Sequence, residues 1–223
     1  MFSPLAANIY LNEVDWFFEA IRRKTAQGPY EAVNYHRFAD DIVITVSAHH
    51  TKRGWAERAR QRLQEQLTPL GVELNEEKMT LVNTLDGEAF SFLGFDLRRV
   101  RKRTGNGYLI LMTPRKKARL AIKAKIRDII RRGGAIPATT LVARINAALA
   151  GWVNYFRVGN ASRAFSEVRD YVEMKVRTLL TRRKRRQKRS VGWRRWSNEY
   201  LYDVLGLFWG WHVRPLPSAE TYS

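Results

Sequence analysis

Two carboxylates stand side by side at Asp40-Asp41, between two apolar runs. Like charges this close raise a carboxyl pKa unless something compensates. One reading is a plain hairpin turn, because Asp tolerates turn geometry. The other is a cation site. Hard carboxylate oxygens suit Mg²⁺, which takes one or two protein carboxylates together with substrate phosphates. In a two-metal site, one ion activates an attacking oxygen and the other stabilises the leaving one. The 223 residues contain no cysteine. Thiol nucleophiles, disulfides and Cys-based zinc sites are therefore excluded, and a reducing compartment, the cytoplasm, is expected.

The elements that must hold this pair follow from the pattern around it. Val33 to Ser47 is dense in Val, Ile, Tyr, Phe and Thr and reads as two strands broken at Asp40-Asp41. Before it, Leu5 to Arg23 is expected as a helix, with Leu5, Ile9, Val14, Phe17 and Ile21 near helical spacing. After it, Trp55 to Leu70 reads as an amphipathic helix ended by Pro69 and Gly71. Short strands are expected at Met79–Val82, Ala89–Val100 and Tyr108–Met112, the last two joined by Thr104-Gly105-Asn106-Gly107, a hairpin signal. Beyond Pro114 only helices are expected: Arg115–Arg132, Thr140–Phe156, and a third capped by Asn160 or Ser162 and running to about Arg189. The class is α+β, an antiparallel sheet with helices followed by an all-α part.

Charge divides the chain at the same place. Up to Met112 there are fifteen Lys and Arg against fourteen Asp and Glu, net +1; beyond it there are 25 against 7, net +18. Such an excess points to a polyanion. One cluster is Arg115, Lys116, Lys117, Arg119 and Lys123, continued by Lys125 and Arg127. The other is Arg182, Arg183, Lys184, Arg185, Arg186, Lys188 and Arg189, followed by Trp193, Arg194, Arg195 and Trp196. Cations interleaved with aromatic rings can neutralise phosphates and stack on bases, so these residues are the RNA-binding candidates. Solvated helix faces are the plainer reading of the same runs. Trp152, Tyr155 and Phe156 have core spacing. No apolar run of about 18 residues exists, so a spanning helix and a membrane partner are not expected.

Four blocks in order carry a family resemblance: Ser3-Pro4-Leu5 through Leu11, Phe38-Ala39-Asp40-Asp41, Leu74-Asn75-Glu76-Glu77-Lys78, and Phe92-Leu93-Gly94-Phe95. Together they resemble the palm of a group II intron reverse transcriptase. The basic half, above all Leu141 to Arg157 with Gly151-Trp152-Val153-Asn154-Tyr155-Phe156, resembles the thumb or maturase domain of the same proteins. The resemblance implies a partial palm at 1–112, a maturase-type helical domain at 113–190 and a Trp-rich basic tail at 191–223. It implies that Asp40 and Asp41 are catalytic metal ligands for Mg²⁺ in a two-metal nucleotidyl transfer. It places Phe38, Ala39 and Lys78 at the nucleotide, and Leu93 and Gly94 under the primer end. Intron RNA, an RNA template and a DNA primer are the implied partners. Phe38 stands where the family more often has tyrosine.

The family uses a third aspartate and a Gln-Gly pair ahead of the Ser-Pro-Leu block, which here begins at Ser3. Asp15 and Asp86 lie in the wrong order to replace that aspartate. The chain is therefore expected to lack polymerase activity alone. Three readings stay open: part of an RNA-directed DNA polymerase, an RNA-binding maturase that assists splicing without polymerising, and a remnant with no function.

Overall fold

The computed structural model describes residues 8–26, 33–46, 54–183 and 195–214. The chain forms two compact units, Met1–Glu88 and Ala89–Ser223.

In the first unit, helix α1 (Asn12–Ala26) packs on a two-stranded hairpin, β1 (Val33–Phe38) and β2 (Asp41–Val46), beside helix α2 (Trp55–Leu67). The buried stripe of the first helical segment is Leu11, Val14 and Phe18, at i, i+3 and i+7. Ile9, expected on that face, is exposed. Period-two alternation along β1 puts Val33, Tyr35 and Arg37 on the α1 side. The Tyr35 ring stacks on Phe18 with centroids 4.7 Å apart. Ala59, Leu63 and Leu67 seat α2, and Gly71, at φ +64°, ends the 3₁₀ turn after it. Met79–Val82, expected as a strand, is irregular instead: Leu81 is exposed, and no described strand pairs with the segment. A lone extended run with nothing to bond its backbone gains no ladder.

The second unit is an antiparallel meander, β3 (Ala89–Phe92), β4 (Phe95–Arg101) and β5 (Tyr108–Pro114), followed by helices α3 (Lys116–Arg132), α4 (Ala138–Phe156) and α5 (Ser162–Arg183). The run Ala89–Val100 is thus two strands, turned at Leu93-Gly94. Ile122 and Ile126 of α3, Leu141, Ile145 and Leu149 of α4, and Val168, Val172, Val176 and Leu180 of α5 form one core. Leu120 lies outside it, exposed. A second cluster, Phe95, Val153, Phe156, Ala161 and Phe165, joins the sheet to the helices. Asn160 does not cap α5; its backbone and side chain bond both polar groups of Met112 on β5. Among the described residues no helix is long and apolar enough to cross a membrane.

The described part of the tail is built into this core. Leu201, Leu205 and Leu207 are buried, and Asn146 of α4 bonds the Gly206 carbonyl and the Phe208 N–H. Arg177 and Glu173, both buried on α5, make the second tie. Arg177 Nε donates to the Trp196 carbonyl at 2.8 Å and Nη1 to Glu173 at 3.2 Å, while its Nη2 reaches Asn198. The Tyr202 hydroxyl donates to Glu173 at 2.7 Å. Burial, and then that bond, push the Tyr202 pKa above its ordinary value. Arg177→Leu removes the buried partner of Glu173, leaving it only Arg169 at 4.0 Å and the Tyr202 hydroxyl. We expect a loss of about 3–5 kcal/mol in urea unfolding, against under about 0.5 kcal/mol for Arg163→Leu at an exposed position of the same helix.

Candidate functional site

The carboxylate hairpin is a tight one. β1 and β2 pair from Val33↔Val46 to Phe38↔Asp41, which leaves only Ala39 and Asp40 in the loop. Asp41 is therefore the first residue of β2 rather than part of the break. Alternation puts it on the same face as Phe38, away from α1, and both side chains are exposed. Ala39 has φ +54°, the left-handed region that favours glycine. Among the described residues, no ion pair or side-chain hydrogen bond occupies Asp40 or Asp41. Two hard, exposed, unpaired carboxylates on a rigid turn fit a divalent cation as two of its ligands. No group of three or more His, Asp or Glu suited to a metal occurs among the described residues.

Behind the hairpin lies a polar network that the sequence reading missed. Arg37, its side chain 9% exposed, grips Asp15 of α1 through Nε at 2.8 Å and through Nη2. Tyr35 donates to the same carboxylate at 2.9 Å. Burial pushes the Asp15 carboxyl up, but these hydrogen bonds and the Arg37 charge outweigh it and hold the pKa below the ordinary value. Asp15 is thereby committed to Arg37. The available signal was an arginine on the core-facing side of the strand, in line with Val33 and Tyr35.

The Leu93-Gly94 turn is the second tight loop, with both central residues at positive φ, +49° and +78°. Ala39 and Leu93 are the only non-glycine residues with positive φ among the described residues. The C-terminal end of α4 holds this second turn. The Tyr155 hydroxyl donates to the Leu93 carbonyl at 3.0 Å, and the Arg115 N–H donates to the Gly94 carbonyl at 2.9 Å. A Cβ on Gly94 would come within 3.3 Å of the Phe156 ring. Lys78 lies in an exposed turn of the first unit, its N–H bonded to Asn75.

The basic candidates separate by environment. Arg115, Lys116, Lys117, Arg182 and Arg195 are exposed. Arg119 and Lys123 both bond Glu167 of α5, Lys123 at 2.6 Å. Arg183 is half-buried and donates to the Gly133 carbonyl at 2.8 Å, closing the end of α3. Trp196 corrects an expectation. Its ring is 6% exposed, inside the helical core and 4.8 Å from Tyr200, so it is no platform for a base. Lys184, Arg185, Arg186, Lys188, Arg189, Trp193 and Arg194 lie outside the described residues.

Two family models match this chain. Residues 1–97 match the reverse transcriptase (RNA-dependent DNA polymerase) family and residues 119–200 the group II intron, maturase-specific domain. The chain belongs to the group II intron reverse transcriptase/maturase family. Among curated proteins, no match to it was found. The reverse transcriptase match contains the carboxylate hairpin, Lys78 and the Leu93-Gly94 turn; the maturase match contains Glu167 with its two cations and the run from Arg182 to Trp196. Arg115, Lys116 and Lys117 fall between the matches.

Glu167 sets how much charge α3 can offer. Its pKa is lowered, chiefly by the Lys123 bond and then by Arg119, against the opposing effect of burial. Its contribution to stability is therefore present above the ordinary carboxyl value of 4.5 and is lost as pH falls through the lower folded value. Glu167→Gln releases two cations without removing them. We expect tighter RNA binding near neutral pH, with the log–log salt slope steeper by about one or two, and a weaker dependence of stability on pH below about 4.5. Filter binding across a salt series and acid-limb melts read the two effects.

Proposed function

We propose that this group II intron reverse transcriptase/maturase chain acts in the cytoplasm, holding a divalent cation on Asp40 and Asp41 for nucleotidyl transfer and gripping intron RNA with the basic second unit. The observation that carries the first part is the unpaired carboxylate pair on a strained two-residue turn. Strain of this kind costs about 1–3 kcal/mol, persists only where the surroundings enforce it, and concentrates at functional sites. A Mg²⁺ pair bound there would activate a primer hydroxyl and stabilise the leaving pyrophosphate. The chain's own residues position. Asp40 and Asp41 supply oxygen ligands, exposed Phe38 offers a ring face beside them, and Lys78 supplies a cation for phosphates. The Leu93-Gly94 turn, fixed by Tyr155 and Arg115, supports the primer end.

The RNA grip rests on the exposed Arg115, Lys116, Lys117, Arg182 and Arg195, together with the cations of the 184–194 run, which lies outside the described residues. If about six phosphates are neutralised, log affinity for structured intron RNA falls linearly with log salt at a slope of roughly −4 to −5. Binding that does not change with salt overturns this part.

A second reading is an RNA-binding maturase that does not polymerise, carried by the match of residues 119–200 to the maturase-specific domain. On that second reading the 223-residue chain, supplied with Mg²⁺, primer and RNA template, binds RNA without extending the primer. Primer extension would place it among the active polymerases.

A further inference from the structure

Arg37 makes one contact that its ion pair does not require. Taking a guanidinium out of water is costly unless it is paired and its donors are satisfied. The fork on Asp15 provides the pairing. Yet Nη1 turns the other way, donating at 2.9 Å to the carbonyl of Ala39 and at 2.9 Å to the side chain of Asn8. Ala39 is the residue at φ +54°, and its carbonyl belongs to the peptide that leads into Asp40. One side chain thus ties helix α1 to the strained peptide next to the carboxylate pair. Asp15, held by Tyr35 at 2.9 Å, whose ring is stacked on Phe18, fixes the guanidinium in turn.

We propose that Arg37 is a positioning residue. It holds Ala39 in the left-handed conformation and so sets the directions from which Asp40 and Asp41 approach a divalent cation. The proposal rests on the reading that these two carboxylates hold a cation. Lysine cannot substitute, because a single ammonium at the end of a flexible stem cannot span Asp15 and the Ala39 carbonyl in one plane.

The test is Mn²⁺ binding to the full chain, followed by the loss of free-ion EPR signal, with thermal melts beside it. Residues that orient metal ligands from behind typically change affinity by about 10–100-fold, so Arg37→Lys should weaken Mn²⁺ binding about tenfold while a cooperative melt survives. Ala39→Gly alone should change binding by less than about twofold. Combined with Arg37→Lys it should restore most of the loss, because glycine adopts φ +54° without being held there. A purely structural arginine would not be rescued by a glycine in the turn. Asp40→Asn with Asp41→Asn separates the two claims. If that double variant binds Mn²⁺ like the parent, the cation reading fails. If it loses binding while Arg37→Lys keeps it, or if Ala39→Gly gives no rescue, the positioning role fails. Should Arg37→Lys not melt cooperatively, Tyr35→Phe carries the test. It removes one bond from Asp15 and spares the ion pair; two- to threefold weaker binding supports the proposal and unchanged binding overturns it.

Discussion

Ala39 at φ +54° and Leu93 at φ +49° occupy backbone that side chains avoid, at about 1–3 kcal/mol each. Neither turn rests on backbone preference alone, and each is held by side-chain donors. For Ala39 the donor is Arg37, buttressed by Asp15 on α1. For Leu93 it is Tyr155, sixty-two residues later, at the end of α4. The packing around each turn supports those donors. Phe18 and Tyr35 stack to hold the first network, and Phe95, Phe156 and Tyr155 crowd the second, with ring centroids 4.8–6.0 Å apart. Local stability and candidate chemistry therefore depend on the same contacts.

The seven acidic residues beyond Met112 show how a very basic unit folds at all. Asp128 pairs with Arg131 and Arg132, Glu167 with Arg119 and Lys123, and Glu173 with Arg177 and Tyr202. The exposed pairs of Asp128 and Glu167 add little stability, whereas the buried Glu173–Arg177 pair ties the tail to the core. What they do is decide which cations remain for a partner. Glu167 ties down the middle of α3, whereas Lys116 and Lys117 at its start are left to solvent. Asp170, Glu173, Glu199 and Asp203 line one open groove with Trp209, a surface from which phosphates are repelled. The exposed cationic surface among the described residues is therefore narrower than the composition suggests.

Much of this was legible in the sequence because it rests on period and punctuation. The hairpin at Asp40, the amphipathic α2, and the three helices beyond Pro114 all follow from spacing and from Pro and Gly. What stayed hidden depends on long-range partners. Nothing near Trp196 in the chain announces that its neighbours Tyr200 and Leu201 belong to the core, so a tryptophan beside two arginines looked like an RNA platform. Asn160 looked like a helix cap because nothing local shows that Met112 needs its bonds. Met79–Val82 has strand composition but no described strand to pair with, and pairing rather than propensity makes a strand.

The charge break and the packing break are different boundaries, and the difference follows from the second turn. Charge changes at Thr113, while the compact units divide at Glu88. The sheet between them begins before the charge break but packs with the basic helices, and the Leu93-Gly94 turn is held there by Tyr155 and Phe156. A load on α4 then reaches that turn through one hydrogen bond and one ring contact rather than through a flexible linker. The carboxylate hairpin is tied within its own unit through Arg37 to Asp15 and Asn8, in a stretch of net charge +1. Under the proposed cation role, a near-neutral setting spares the hairpin competition between fixed cations and metal, and under the proposed RNA role the basic helices carry the excess charge.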